Sequence, residues 1–378
     1  EERSLGKDLA AWTRDLLKLS ALLKPGEENN DVVPRLAELQ SRIGQVEQRL
    51  RRIKQQLAEV NIGLLDEDEA TEALAAVTGP KIGGLLNATL GNAAELIITI
   101  VAIRAGLLDL VKASITGSIL GNLLLVMGLS LLLGGLRHGR QTFNRQAQGT
   151  NATLLVLATI ALVIPSLFNH TLAGEELSVL TEEYISLGVA VVMIVVYGLG
   201  LFYTLRSDKG IALSHAGGAE TEAPHWSVRT ALIVLALATG ATVWMSEILV
   251  HEVEAVTAAL GLSEFFLGII LIPLIGNVAE HLVAVQVAMK NQMDLSLEIA
   301  LGSSLQIAIF VAPVLVFVAL GFGQYLNLVF NQFEVVALIA GVLVANLVAA
   351  DGETNWLEGA QLIAVYVVLG VAFFFIPA

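Results

Sequence analysis

The chain has 378 residues, of which 55% are hydrophobic and 15% are charged, whereas soluble domains contain about 25% charged residues. This composition, with apolar blocks longer than the roughly 20 residues that cross a bilayer, predicts an all-α polytopic membrane protein. The net charge of −14 argues against nucleic acid as a partner, and the absence of cysteine excludes disulfide frameworks, cysteine metal sites and thiol catalysis.

Residues 1–65 contain many of the charged residues and are predicted to be a soluble helical segment. Apolar residues between Leu36 and Val60 alternate spacings of three and four, which predicts a helix over about 34–60 with a heptad seam. Two interpretations are open. The helix packs on its neighbours or on the membrane surface, or it forms a coiled coil that makes the protein a homo-oligomer.

Nine apolar segments long enough to be membrane helices follow. We expect them to form two membrane repeats over 66–206 and 229–378, joined by a cytoplasmic loop over 207–228. The predicted helices span about 82–104, 109–136, 151–168, 184–205, 229–250, 265–289, 295–320, 333–350 and 357–377.

Basic residues near helix ends predict the orientation. The loop 137–145 contains three arginines, whereas the loop 169–183 contains four glutamates and no lysine or arginine. By the positive-inside rule the first loop faces the cytoplasm and the second faces away from it, which places the N-terminal segment in the cytoplasm. Arg104 and Lys112 are exceptions, because they flank a loop predicted to lie on the non-cytoplasmic side.

An internal repeat links the two halves. The segment Gly91–Glu95, Gly-Asn-Ala-Ala-Glu, recurs as Gly276–Glu280, Gly-Asn-Val-Ala-Glu, at an offset of 185 residues. The same offset carries Gly117-Ser118 onto Gly302-Ser303, and two homologous halves are the usual construction of a secondary transporter. Five helix-to-helix connections separate the motifs. Because this number is odd, the sequence predicts inverted repeats whose motifs face each other near the bilayer midplane.

Each motif places a glutamate, Glu95 or Glu280, inside an apolar segment. A carboxylate at this depth costs at least about 2.5 kcal/mol, so it needs a partner or a function. Two facing glutamates would repel each other if both were ionised. A divalent cation removes this repulsion, and protons do so when the cation leaves. The alternative is that each glutamate only makes a hydrogen bond between helices.

Neighbouring residues predict further oxygen ligands. Gly91, Gly276 and Pro273 are expected to break the helices and free backbone carbonyls. Amide oxygens of Asn92 and Asn277 would join the two carboxylates in an oxygen-only metal site, which suits a hard ion such as Ca²⁺. The same amides could instead cap a helix break or join helices.

Other polar residues are secondary candidates. His281 adjoins Glu280 and is interpreted either as a proton-coupling partner or as a packed polar group. Glu252 and Glu254 are interpreted as entrance carboxylates that attract cations. The next helix of each half carries residues expected near the site, which could equally satisfy backbone groups in the bundle: Ser118, Ser303, Ser304 and Gln306.

Three segments resemble those of a known family. The runs Gly83–Glu95 and Gly276–His281 are similar to the two conserved repeats of Ca²⁺/H⁺ exchangers, the cation/proton exchanger branch of the Ca²⁺:cation antiporter superfamily. Gly302–Gln306 is similar to the helix that follows the second repeat, and the resemblance covers about residues 66–378. It implies the inverted-repeat antiporter fold, with the cation and protons bound at the two motif glutamates.

The resemblance also implies a hydrophobic gating helix before the first motif. Its expected place, about 44–69, is occupied by the charged heptad helix. We therefore expect the first gating helix to be absent or replaced.

The function implied by the resemblance is secondary active antiport, exchanging cytoplasmic Ca²⁺ for H⁺ by alternating access. Ca²⁺, H⁺ and the lipid bilayer are the expected partners, and no resident cofactor is expected. One alternative is another antiporter of the superfamily, exchanging Na⁺ for Ca²⁺ or Mn²⁺ for H⁺. Another is a non-transporting assembly or sensor protein built around the heptad helix. An intramembrane metalloenzyme using Glu280 and His281 is disfavoured, because the chain has no His-Glu-x-x-His sequence.

Overall fold

The computed structural model of the protein describes residues 91–172, 179–206 and 228–376. The first half contains α1 (Ala93–Arg104), α2 (Leu108–Leu120), α3 (Met127–His138), α4 (Arg145–Leu172) and α5 (Val179–Arg206). The second half contains α6 (Val228–Leu260), α7 (Glu264–Phe266), α8 (Ile272–Gly276), α9 (Val278–Met289), α10 (Met293–Gln306), α11 (Ala312–Gly321), α12 (Gln332–Val348) and α13 (Trp356–Phe374). Three π-helical segments interrupt them, at Gly121–Val126, Leu267–Leu271 and Ile307–Val311.

Within the described residues, six helical spans are long and apolar enough to cross a membrane, and the bent pair of Glu264–Gly276 and Glu280–Met289 makes a seventh. α2 and α3 form one of these spans together, as do α10 and α11, and α12 is a shorter apolar helix. Each apolar segment predicted from residue 109 onwards therefore coincides with a helix. The predicted heptad helix and the place of the first gating helix lie outside the described residues.

The repeat extends to local backbone geometry. α1 and α9 are related by the offset of 185 at both their first and their last residues. Asn92 before α1 has φ −107° and ψ 22°, and Asn277 before α9 has φ −104° and ψ 14°. The turns after these helices also match, since Gly106 has φ 82° and Asn291 has φ 64°. Both lie in the left-handed region, which glycine and asparagine enter most easily.

One end of the bundle joins three loops from the two halves. His138 Nε2 lies 2.8 Å from the carbonyl oxygen of Met289. The backbone N–H of Phe143 donates to the carbonyl oxygen of Gly352 at 3.0 Å. Beside this bond, the short strands β1 (Gln141–Thr142) and β2 (Glu353–Thr354) pair antiparallel. The loops that follow α3, α9 and α12 therefore meet here, and we call this the clamped end.

The end of α1 lies on the opposite side of the bundle. A Cβ built on Gly106, just after α1, would lie 3.9 Å from Gln324 Nε2, in the loop after α11. The span of α10 and α11 begins near the clamped end, where the backbone N–H of Asn144 donates to Asp294 Oδ1. Gln324 follows the far end of this span and so marks the opposite end of the bundle. Because α9 ends at the clamped end and α1 at the opposite one, the two motif helices run in opposite directions. The repeats are therefore inverted, as predicted.

Small residues allow the helices around the motifs to pack closely. A Cβ built on Gly117 would lie 2.1 Å from the carbonyl oxygen of Ile269, and one built on Gly359 would lie 2.3 Å from the backbone nitrogen of Leu132. Gly117 immediately precedes Ser118, so this contact also sets the position of a predicted site residue. Helix α3 is packed in a similar way against α13 and α9.

The two basic residues that depart from the positive-inside pattern are paired with acids. Lys112 Nζ lies 2.8 Å from Asp109 Oδ1, one turn away on the same helix. Arg104 Nη1 lies 3.4 Å from Glu247 Oε1 on α6. Each positive charge is thus balanced locally by a carboxylate.

Candidate ion site between the inverted motifs

A helix begins directly before each motif glutamate. Gly91 and Asn92 form the turn that precedes α1, and Glu95 lies in the first turn of that helix. Glu280 likewise lies in the first turn of α9. The first N–H groups of a helix have no partner within it and carry partial positive charge, which stabilises a nearby carboxylate. The N-termini of α1 and α9 therefore approach one region of the bundle from opposite directions.

The break in the second half lies at Asn277. Here α8 ends at Gly276, and the chain bends by 60° between Glu264–Gly276 and Glu280–Met289. Pro273 lies near the start of α8, directly after a π-helical segment, where its missing N–H is tolerated. Its carbonyl oxygen accepts from both the backbone nitrogen and Nδ2 of Asn277, at 3.1 and 2.9 Å. The proline carbonyl thus fixes the asparagine at the break.

The two motifs come into contact through a glycine. A Cβ built on Gly276 would lie 3.8 Å from Oε1 of Glu95. The side chain of Glu95 is buried, with 7% of its surface exposed. The carboxylate of the first motif therefore lies beside the helix break of the second motif.

Each motif asparagine reaches the opposite half. Asn92 Nδ2 donates to Gln306 Oε1 on α10 at 2.5 Å, and Asn277 Nδ2 donates to Ser118 Oγ on α2 at 3.4 Å. Both asparagines are buried, yet within the described part of the chain Oδ1 of Asn92 and Oδ1 of Asn277 have no hydrogen-bond partner. A buried acceptor without a donor is costly, and a bound cation is one way to satisfy it.

The chemistry of these oxygens suits a hard divalent cation. Carboxylate and amide oxygens are the side-chain ligands that Ca²⁺ uses. Across the described ranges, no group of three or more His, Cys, Asp or Glu residues could hold a metal ion. A cation here would therefore depend on two carboxylates supplemented by neutral amide and backbone oxygens.

A hydrogen-bonded chain supports the second glutamate. Ser303 Oγ on α10 donates to Glu280 Oε2 at 2.6 Å, and Asn122 Nδ2 donates to Ser303 Oγ at 3.1 Å. His281 Nε2 lies 3.1 Å from Asn122 Oδ1. Because Oδ1 only accepts, Nε2 of His281 is the donor in this arrangement. The chain runs in one direction, from His281 through Asn122 and Ser303 to Glu280.

Asn122 is a buried polar residue that was not predicted from the sequence. It is buried at the start of the first π-helical segment, where its side chain joins the two halves. The internal repeat does not mark this position, because its equivalent in the second half is Ile307. An amide within an apolar run was the available signal, since such a group needs partners inside the membrane.

The remaining candidates lie in different surroundings. Ser304 Oγ donates to the backbone oxygens of Ala300 and Ile119, at 2.9 and 3.4 Å. Its hydroxyl is therefore used by helix backbones, unlike that of the adjacent Ser303. Glu252 is exposed near the end of the membrane span in α6, and Glu254 follows on the same helix. Helix α6 packs against α1, so it covers the helix that carries Glu95.

Comparisons with known proteins agree with this architecture. The family model described as sodium/calcium exchanger protein matches residues 69–206 and 230–375. A Ca²⁺/H⁺ antiporter of Aphanothece halophytica is 47% identical over 324 residues, covering 82% of this chain and 86% of its own. The Ca²⁺/H⁺ antiporter ChaA of Bacillus subtilis is 45% identical over 308 residues, covering 81% and 86%. A solved structure of native YfkE superposes with a TM-score of 0.73 at 40% identity, covering 85% of this chain and 91% of that one.

Proposed function

Because the chain belongs to the sodium/calcium exchanger protein family, we propose that it is a secondary active antiporter that exchanges cytoplasmic Ca²⁺ for H⁺ by alternating access. The relatives named Ca²⁺/H⁺ antiporters, at 45–47% identity over most of their length, support this choice of ions. The observation that carries the proposal is the meeting of two inverted motifs, each with a buried asparagine oxygen that lacks a hydrogen-bond partner among the described residues.

In this proposal Ca²⁺ is bound by Glu95 and Glu280 together with Oδ1 of Asn92 and Asn277. Ser303 supports the site by donating to one oxygen of Glu280, and a carboxylate that accepts at Oε2 can present Oε1 to a cation. The support for these roles is the burial of the asparagines, their bonds across the two halves, and the proximity of Glu95 to the break at Gly276.

Protons replace Ca²⁺ because the two carboxylates cannot both stay ionised without a cation. A serine hydroxyl can serve both states of Glu280, since it donates to a carboxylate and accepts from a carboxylic acid. Asn122 has no such freedom, because its amide donor and acceptor are fixed by Ser303 and His281. The hydroxyl of Ser303 can therefore reorient when Glu280 is protonated, while the hydrogen bond from Asn122 keeps Ser303 in position.

The clamped end is the cytoplasmic side in this proposal. Among the described residues it carries more basic residues at the helix ends than the opposite side, which has Arg104 and Lys112. Residues 1–65 would then lie in the cytoplasm, with the segment 34–60 available for oligomerisation. The basic residues at the clamped end are Arg137, Arg140, Arg145 and Lys290.

An enzymatic role is not part of the proposal. His281 hydrogen-bonds an amide, with its Nε2 3.1 Å from Oδ1 of Asn122. The named relatives are antiporters. In this proposal the bound cation is transported cargo and not a resident catalytic metal.

Transport by reconstituted protein tests the proposal. Vesicles containing the full chain should take up ⁴⁵Ca²⁺ when a pH gradient is imposed, and Glu95→Gln or Glu280→Gln should abolish uptake while the protein still inserts. Glu353→Gln, at an exposed carboxylate of β2, is the matched control and should retain uptake. Uptake driven by a Na⁺ gradient but not by a pH gradient would favour a different antiporter, and wild-type uptake by either site variant would refute the site.

A further inference from the structure

The end of the bundle opposite the clamped end contains a segment without regular secondary structure, residues 324–331, between α11 and α12. Non-helical backbone among membrane helices has to find its hydrogen bonds inside the protein. Two buried serines accept such bonds. Ser186 Oγ on α5 accepts from the backbone N–H of Leu328 at 2.9 Å, and Ser166 Oγ on α4 accepts from that of Phe330 at 2.9 Å. The segment is therefore docked on α4 and α5, and we call it the docked segment.

A glutamate near the start of α5 completes this docking. Glu182 lies in the first turn of α5, and its Oε2 accepts from Asn327 Nδ2 of the docked segment at 2.8 Å. Its other oxygen, Oε1, accepts from Asn169 Nδ2 on α4. Glu182 thus joins three elements through a carboxylate whose two oxygens are both used.

The next residue, Glu183, has the opposite character. Only 3% of its surface is exposed, and within the described residues neither of its carboxyl oxygens has a hydrogen-bond partner. Its position is on the inner face of α5, because Glu183, Ser186, Ala190, Met193 and Tyr197 are all buried and are three or four residues apart. The carboxyl therefore points into the bundle, one turn from the serine that holds the docked segment.

The surroundings of Glu183 contain no compensating charge. Helix α5 packs against α4, α11 and the π-helical segment at Ile307–Val311. Near this end, Tyr325 is the one titratable group among the described side chains of those elements and of the docked segment, and it is 55% exposed. On α5 itself, Tyr184 is exposed and the carboxylate of Glu182 is already used.

A buried carboxylate without a donor or a counter-ion is costly, and such a group is neutralised by taking up a proton. A metal ion would need further ligands. Across the described ranges, however, no group of three or more acids and histidines could hold one. The geometry at Glu183 is therefore suited to a single proton.

We propose that Glu183 is a proton-binding site whose proton keeps the docked segment in place. In the docked state the carboxyl is a neutral acid between α5 and its neighbours. When it loses the proton, water has to stabilise the charge, so ionisation favours separation of the docked segment from α5. Proton binding is thus linked to docking. The site is separate from the proposed ion ligands, so the proposal stands whether or not Ca²⁺ is the cargo.

Thiol accessibility in the full chain tests this linkage, since the protein has no cysteine of its own. Maleimide labelling of Leu328→Cys reports undocking, and its rate relative to that of the exposed Tyr325→Cys removes the pH dependence of the reagent. The ratio should rise with pH, by up to about tenfold per pH unit for one linked proton. It should not change with pH in Glu183→Gln, which stays neutral. Glu247→Gln, at an exposed carboxylate of α6, is the control and should behave like wild type.

Thermal unfolding of the two adjacent glutamate variants provides a second measurement. Glu183→Leu should raise the midpoint by about 2 °C, because it removes a buried carboxyl without a partner. The folded wild type keeps a proton that the unfolded chain loses, so rising pH favours unfolding and the advantage of leucine should grow. Glu182→Leu should instead lower the midpoint, because two amides lose their acceptor.

The proposal is overturned if labelling of Leu328→Cys depends on pH equally with and without Glu183→Gln. It is also overturned if Glu183→Leu loses stability as Glu182→Leu does. Protection of Leu328→Cys that Na⁺ or Ca²⁺ restores at high pH would overturn it too, by assigning a cation to the carboxylate. If Leu328→Cys does not accumulate, the comparison of the two leucine variants decides the matter.

Discussion

The hydroxyl of Ser303 donates to Oε2 of Glu280 at 2.6 Å, whereas the hydroxyl of Ser304, the next residue, bonds helix backbone. Two adjacent serines of α10 thus differ in what they can do for the carboxylate. A hydrogen bond to a charged group contributes about 1.5–3 kcal/mol. Substitutions at Ser303 therefore test the hydrogen bond to Glu280, and the same substitutions at Ser304 are the control.

Ser303→Ala should lower pH-driven Ca²⁺ uptake at subsaturating Ca²⁺ by about tenfold, because Glu280 loses its donor. Ser303→Thr should restore most of the uptake, since threonine keeps the hydroxyl. The measurement is the initial rate in vesicles across a range of Ca²⁺ concentrations. Ser304→Ala should change the rate less than about twofold, and an equal loss in the two alanine variants would contradict a specific role for Ser303.

Asn122→Ala should impair transport as well, since it removes the link between Ser303 and His281. If the three side chains act as one chain, Asn122→Ala and His281→Ala should not be additive. We expect the double variant to be about as active as the weaker single variant. Initial rates of the wild type, both single variants and the double variant form the cycle. Strict additivity would show that the histidine is only a packed polar group.

Asn92→Ala and Asn277→Ala should weaken Ca²⁺ binding, because each removes a buried oxygen. Ca²⁺ that binds only the folded protein raises its thermal stability. The midpoint of unfolding should therefore rise with Ca²⁺ in the wild type and rise less in each variant. Gln306→Ala separates the interpretations, since it deletes the partner of Asn92 without deleting that oxygen. If Ca²⁺ stabilised both asparagine variants as much as it stabilises the wild type, the amides would join helices and would not bind Ca²⁺.

Gly117→Ala should destabilise the protein by about 1–3 kcal/mol, the usual cost of overpacking. Its Cβ would lie 2.1 Å from the backbone oxygen of Ile269, which cannot move as a flexible side chain could. Gly149→Ala is the matched control, because it adds the same methyl group to open space on α4. Thermal unfolding and yield in detergent should fall for Gly117→Ala alone. Equal stability of the two variants would contradict the close contact between α2 and the segment before α8.

The repeat made the main architecture predictable from sequence. Motif positions that match at the offset of 185 adopt the same backbone geometry, down to the left-handed turns at Gly106 and Asn291. Hydropathy located each described span, because a bilayer demands long apolar helices. The resemblance to Ca²⁺/H⁺ exchangers is confirmed by the family match and by the close relatives.

Other features depend on tertiary contacts that no pattern in the chain records. Successive residues of a helix point about 100° apart, so the order Ser303-Ser304 does not show which hydroxyl faces Glu280. The π-helical segments beside Asn122 and Ile307 follow from packing in the bundle, since their sequences are as apolar as the α-helices around them. The pairing of Gln141 with Thr354 joins residues distant in the chain and involves strands of two residues.

The anchoring of α9 at the clamped end has a geometric consequence. Its last carbonyls are held by the first half, with Gln141 Nε2 donating to Ala288 and His138 beside Met289. Its first residue follows the break at Asn277, so any tilt of this helix would turn about its C-terminal end. From Met289 to Glu280 the arm is about 14 Å. A tilt of about 10° would therefore displace the carboxylate by roughly 2 Å, close to the length of one Ca²⁺–oxygen bond.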